Sequence, residues 1–169
     1  FTLEEVLGSR MISDPLTLYQ CAPTGDGVAA LVLCAEDIAD KYSSKPKVKM
    51  AGAALCSQVY VPDDPTSIHA FTIKASQEAY EMAGCGPEDL DVIELHDCFS
   101  IAEICHYENL GLCAKGEGGR LLDEGATEIG GPIPVNTSGG LLSRGDPTGA
   151  TGVGQVVEIV WQLRGEAGK

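Results

Sequence analysis

Two short stretches of this chain carry side chains and backbone shapes that can do chemistry. The first is Leu95-His96-Asp97-Cys98-Phe99. The second runs from Asn136-Thr137-Ser138-Gly139-Gly140 to Gly145-Asp146-Pro147-Thr148-Gly149-Ala150-Thr151-Gly152. Each lies where an apolar, strand-like run gives way to a helix-like pattern. In α/β sheets ligands collect at such junctions, because backbone N–H groups and the helix dipole converge there. His96 and Asp146 are the candidate catalytic residues. Phe99, Asn136, Ser138, Gly139, Gly140 and Gly145 are the candidate substrate-binding residues around them.

The neighbours His96, Asp97 and Cys98 invite comparison with a Cys-His-Asp relay. Adjacent residues point in different directions, so they cannot form that relay among themselves. Cys98, Cys105 and His106 match no usual zinc-ligand spacing, and the cysteines read as part of a helix core. For His96 two readings stay open: a turn histidine satisfied by backbone groups, or a hydrogen-bond donor at a helix mouth. Asp146 before Pro147 is what a helix start wants, an N-cap acceptor followed by a residue with preset φ and no N–H to lose. The glycines at 139, 140, 145, 149, 152 and 154 resemble a nucleotide loop, yet neither GxGxxG after a strand nor GxxxxGK[ST] is present. Gly149, Gly152 and Gly154 instead read as sites where the last helix packs closely on a sheet or a ligand.

The elements that must position these residues alternate between strand and helix. Thr2-Leu3-Glu4-Glu5 has a cap-then-acid helix start, broken by Ser13-Asp14-Pro15. Residues 27–34, GVAALVLC, form an apolar run of strand length, followed by a short amphipathic helix over AEDIADKY. Residues 47–59 read as another strand and PDDP at 62–65 as a loop. A helix is expected over 67–83, with Ile68, Phe71, Ala75, Ala79 and Met82 on one side and Gly84 at its end. Residues 91–95 read as a buried strand running straight into a helix with Asp97 as its N-cap. Residues 111–131, with seven glycines, read as a loop, and 132–136 as a short strand. In the last helix Val153, Val156, Val157, Val160 and Leu163 line one side and Ile159 and Trp161 the other, so it is expected to be buried around most of its circumference. This alternation predicts an α/β fold with a mixed sheet covered by helices. His96 and Asp146 should meet at one end of it, their Cα atoms within roughly 12 Å.

Composition narrows the function. The 169 residues are 44% hydrophobic and 21% charged, which is ordinary globular usage. Eleven basic against 25 acidic residues give a net charge of −14, concentrated in residues 67–169 with 16 acidic and 6 basic groups. That field repels phosphate backbones and anionic lipid, so neither nucleic acid nor a membrane surface is an expected partner. Seven scattered cysteines without a CxxC pattern point to a reducing compartment. No apolar run approaches the roughly 20 residues of a membrane span. The opening FTLEEVLGSR has neither an initiator Met nor a signal-peptide pattern, and is expected to lie mid-protein.

Taken together, VIELHDCFSIAEICHYENLGL, VNTSGGLLSRGDPTGATGVGQ and EIVWQLRGEAGK, with the earlier CAPTGDGVAALVLC, resemble the thiolase superfamily. The likeness is to its sterol carrier protein X and lipid-transfer-protein type, and it covers essentially the whole chain. It implies the thiolase-like fold of two similar halves in α-β-α-β-α layers. Residues 1–45 would be the end of the first half and a linker; residues 46–169 would be the second half lacking its last strands. It also implies an enzyme that makes or breaks a C–C bond next to a coenzyme A thioester, with that thioester as substrate and no bound cofactor. By the same resemblance His96 of HDCF stands where other thiolases have the Asn of NEAF, which helps hold a water or thioester oxygen. The family's GHP histidine falls at position 146.

Here position 146 is Asp, and an ionised carboxylate cannot donate a hydrogen bond to a developing oxyanion. It can act as a base. None of the seven cysteines matches either catalytic cysteine of the family, so the resemblance implies a piece of a longer polypeptide, or one completed by a partner. The leading function is a thiolase-like acyltransferase acting on 3-oxoacyl-CoA. The alternatives are a thiolase-like retro-aldolase of steroid side-chain degradation, toward which Asp146 leans, and a non-catalytic acyl-CoA-binding or scaffolding subunit. A homodimer or a complex with a second subunit is implied, in the cytoplasm or, in a eukaryote, the peroxisome.

Overall fold

The computed structural model describes residues 1–57 and 67–168. They fall into two compact units, one comprising Phe1–Val48, Val92–Glu103 and Val135–Lys169 and the other Lys49–Asp91 and Ile104–Pro134. The PDDP loop expected at 62–65 and the last two positions of the strand expected over 47–59 lie outside the described residues.

The first unit opens with helix α1, Leu3–Leu7, started by a complete capping box: the Glu5 backbone N–H donates to Thr2 Oγ1 and the Thr2 N–H to the Glu5 carboxylate. Two orphan helix donors are thereby satisfied reciprocally. Strands β1 (Met11–Ser13) and β2 (Leu16–Thr17) form an antiparallel ribbon around Asp14-Pro15. Thr17 is buried, its hydroxyl donating to the Val6 carbonyl at 2.7 Å. After a 3₁₀ turn at Leu18–Gln20, the chain pairs with both candidate junctions in quick succession. Cys21 bridges Phe99 antiparallel, and Thr24 bridges Asp146 parallel. Ile93 and Val135 form a third, parallel bridge. The unit closes with α5 (Gly140–Arg144) and α6 (Thr151–Arg164).

The second unit holds α2, Ser67–Ala83, with the bounds expected from its periodicity. Gly84, at φ +69°, ends it by donating its N–H to the Tyr80 carbonyl. Gly52 lies so close to the Ala79 carbonyl of α2 that a Cβ there would collide with it. Helix α3, Ser100–Asn109, begins in the first unit and ends in the second, where Tyr107 is fully buried and its hydroxyl donates to Thr127 Oγ1. The 111–131 segment, expected as loop, contains the short helix α4, Gly118–Asp123. No helix among the described residues is long and apolar enough to cross a membrane.

Several local expectations are corrected. Residues 27–34 carry no strand pairing among the described residues, nor do residues 47–57. A strand exists only through a neighbour's N–H and C=O groups, and here Val28, Val32 and Leu55 stand 96%, 89% and 97% exposed. Among the described residues the sheet is correspondingly small: one two-stranded ribbon and three isolated bridges, which run in both directions. The segment Glu36–Lys41 is a 3₁₀ helix rather than an α-helix. Helix α6 is less buried than expected, with Val157, Ile159 and Val160 only half-buried. Thr151 and Glu158 are its buried residues, while Val153, Val156, Trp161 and Leu163 are exposed.

Candidate active site

Residues 93–97 are extended, so successive side chains alternate between two sides. Ile93, Leu95 and Asp97 turn inward and are buried, while the His96 ring is half exposed. Asp97 does not cap the helix that follows it, because α3 begins only at Ser100. Its carboxylate reaches across to α5, where it accepts the Leu141 N–H at 2.7 Å and the Leu142 N–H at 3.3 Å. These are free donors at a helix start whose own N-cap, Gly139, has no side chain to offer. Gly140 allows the approach: its φ is +64°, and a Cβ on it would strike the Asp97 carboxylate.

Glu94 anchors the same segment. Its side chain is 1% exposed and accepts from the Ser138 N–H at 2.9 Å, the Ser138 hydroxyl at 2.7 Å and the Thr137 hydroxyl at 3.3 Å. Arg144 Nη2 lies 3.8 Å away. Asn136 takes a left-handed φ of +51°, which Asn tolerates better than most residues. Its side-chain oxygen accepts the Leu95 N–H, and its side-chain NH₂ donates to Glu103. On the far side, Gln155 of α6 donates to the Leu95 carbonyl. Leu95 is thus held through both its N–H and its C=O immediately before His96.

The second junction reaches the first at Asp146. Its Oδ2 lies 3.9 Å from His96 Nε2, which satisfies the expectation that the two residues meet. Asp146 is not the N-cap of the last helix, because α6 starts at Thr151 with Ala150 as N-cap. Its Oδ1 accepts the Thr151 hydroxyl at 2.6 Å, and its backbone N–H donates to the Pro23 carbonyl. Gly145, at φ +89°, sets the turn into Asp146. Gly149 is needed for its φ of +91° rather than for close packing, Gly152 faces open space, and Gly154 only touches Ala29. The tight approach is made by Gly27, where a Cβ would press on the Pro147 ring.

The arrangement pairs a carboxylate with an imidazole at one open locus. An imidazole N–H can donate to an oxygen on which negative charge develops, and a carboxylate oxygen can take a proton. Cys98 is no activated nucleophile here: burial pushes its thiol up from its ordinary range, and the Asp146 and Asp97 charges push it further. A thiol held protonated attacks slowly. Cys105 and Cys113 are likewise raised, chiefly by burial. Among the described residues no cluster of His, Cys, Asp and Glu is arranged to hold a metal ion.

Of the candidate binding residues, Phe99 is 43% exposed beside His96 and pairs with Cys21 through its backbone. Asn136 and Ser138 direct their polar atoms inward, to Leu95, Glu103 and Glu94. Gly139, Gly140 and Gly145 supply positive-φ turns beneath the pair. The residues that hold the locus were not singled out from sequence. Glu94 was given no part there, Thr151 was only one member of the second stretch, and residues 21–24 entered only within CAPTGDGVAALVLC. For Glu94 alone a signal was available, a carboxylate inside an otherwise apolar buried run.

The fold and this pair of junctions define a class, and the chain belongs to the thiolase family: residues 53–169 match the family described as Thiolase C-terminal domain-like. The chain is 49% identical over 170 residues to the acetyl-CoA acetyltransferase of Methanothermobacter thermautotrophicus, covering 99% of this chain and 44% of that protein. It is 46% identical over 179 residues to sterol carrier protein 2 of Bos taurus, covering 100% of this chain and 32% of the relative. With the benzoylsuccinyl-CoA thiolase subunit BbsB of Thauera aromatica the identity is 42% over 167 residues, 98% of this chain and 43% of that one. Among solved structures, the Ltp2-ChsH2(DUF35) aldolase matches 99% of this chain and 44% of its own with a TM-score of 0.83 at 29% identity. The chain has the thiolase-like fold, and it spans less than half the length of these relatives.

Proposed function

We propose that this chain supplies the second-half residues of a thiolase-like active site that makes or breaks the C–C bond next to a coenzyme A thioester. The observation that carries the reading is the His96–Asp146 pair, at 3.9 Å on the two junctions. Cleavage or formation of that bond passes through the enolate of the thioester. A His96 N–H directed at the thioester oxygen stabilises the developing charge, and Asp146 takes the proton whose removal starts the reaction. Phe99 and the turns at Asn136, Ser138, Gly139, Gly140 and Gly145 form the walls around the acyl group. Acyl transfer also needs a nucleophilic thiolate; on this reading it comes from outside this chain, which the raised Cys98 thiol supports. Residues 1–45 fit the end of the first half with its linker, and 46–169 fit the second half. The assembly is a homodimer or a complex with a second subunit, working in the cytoplasm or the peroxisome.

Asp146 favours a second reading, retro-aldol cleavage of a 3-hydroxyacyl-CoA. In that reaction the carboxylate accepts the proton of the β-hydroxyl, the Cα–Cβ bond breaks, and its electron pair passes into the thioester enolate beside His96. Likeness to a solved aldolase of the same fold supports this reading.

The test uses the full-length polypeptide with 3-oxoacyl-CoA plus free CoA and, separately, with 3-hydroxyacyl-CoA. Thiolysis of the first supports the thiolase reading, and aldehyde or ketone release from the second supports the aldolase. Asp146→Asn preserves shape and should lower the observed rate about 100-fold or more. A variant that keeps its rate on both substrates would overturn both readings.

A further inference from the structure

We infer that Thr151 is a positioning residue that fixes which oxygen of Asp146 faces the reaction, an inference that rests on Asp146 acting as a base. Thr151 is buried at 8% exposure at the start of α6. Its hydroxyl has one proton and two acceptors in range, Asp146 Oδ1 at 2.6 Å and the Pro147 carbonyl at 3.3 Å. The shorter, charge-assisted bond takes the proton. With Oδ1 held, the carboxylate cannot spin about its Cβ–Cγ bond, and Oδ2 is left directed toward His96 Nε2. The helix start itself does not need the hydroxyl, because the Thr151 backbone N–H already donates to the Pro147 carbonyl. Thr151 therefore sets the aim of the base.

The other titratable and charged groups near the base come from each neighbouring segment. His96 and Cys98 belong to the first junction, and Asp97 beside them is turned to the α5 N–H groups. Arg144 is turned to Glu94, and Asp26 lines the recess it shares with Arg144, Pro147 and Thr151. None of these takes the Thr151 proton.

The experiment measures kcat and KM separately for the full-length protein, on the substrate that it turns over, in the wild type, Thr151→Val, Thr151→Ala and Thr151→Ser. Removing the hydroxyl should lower kcat about tenfold and leave KM within about twofold, since the base loses its aim while the substrate keeps its contacts, and Ser should restore kcat. Rates are referred to the folded fraction of each variant, measured by circular dichroism, so partial loss of folding is not read as loss of kcat. In an Asp146→Asn background, Thr151→Val should change nothing further. An unchanged kcat in Val and Ala, or a kcat that Ser does not restore, with Asp146→Asn inactive, would overturn the inference and leave the base assignment standing. Full activity of Asp146→Asn would overturn the base assignment, and this inference with it.

Discussion

Replacing Gly140 by Ala should be among the most damaging single-methyl changes in this chain, for two separable reasons. The backbone there has φ +64°, and a residue bearing a Cβ is disfavoured in that region by roughly 1–2 kcal/mol. The added methyl would also fall on the Asp97 carboxylate and push it away from the Leu141 and Leu142 N–H groups. Hydrogen bonds to a charged acceptor are worth about 1.5–3 kcal/mol, so the combined loss is about 3–5 kcal/mol. Two other glycines serve as controls. Gly149→Ala meets φ +91° but open space, and should cost only the conformational part, roughly 1–2 kcal/mol. Gly152→Ala lies within α6 with nothing near its added methyl, and should stabilise by about 0.5–1 kcal/mol. Urea midpoints of the three variants in the full-length protein give the comparison. If Gly140→Ala costs no more than Gly149→Ala, the Asp97 carboxylate does not hold α5, and the account of the first junction fails.

Two further outcomes follow from the same geometry. Cys98 should be alkylated slowly by iodoacetamide at neutral pH, and Asp146→Asn should speed its modification by removing a neighbouring negative charge, as read by peptide mass mapping; an unchanged or slower rate contradicts the electrostatic contact. The thiols of Cys98, Cys105 and Cys113 and the Tyr80 hydroxyl are all raised in the folded chain, so above their ordinary values the unfolded state binds fewer protons than the folded one. Stability should therefore fall as pH rises through and beyond about 9, and a urea midpoint that stays flat or rises from about pH 8 to about pH 10.5 would refute the burial of these groups.

What the sequence determined by itself was local or chemical. Thr2 and Glu5 specify a capping box because both partners lie within one turn. The span of α2 follows from its periodicity and from Gly84, which can take the left-handed φ that ends it. The two junctions, with His96 on one and Asp146 on the other, stood out as places where an apolar run gives way to a helix-like pattern, and the structure brings those two side chains to 3.9 Å. Tertiary structure decided whatever depends on a partner distant along the chain. Asp97 caps α5, 44 residues onward, instead of the helix that follows it, since a carboxylate goes to whichever unpaired N–H groups the fold brings within reach. Helix α6 buries Thr151 and Glu158 and leaves valines exposed, against its apolar pattern. Its polar side meets the Leu95 carbonyl and the Thr137 hydroxyl, whereas the apolar side is covered only in part, at Val157, Ile159 and Val160. The apolar run at 27–34 shows the same dependence: β-propensity can offer a strand, but only a neighbouring backbone completes one. The aim of Asp146 also belongs to the fold, because one hydroxyl proton, placed 2.6 Å away by the first turn of α6, selects the oxygen left facing His96.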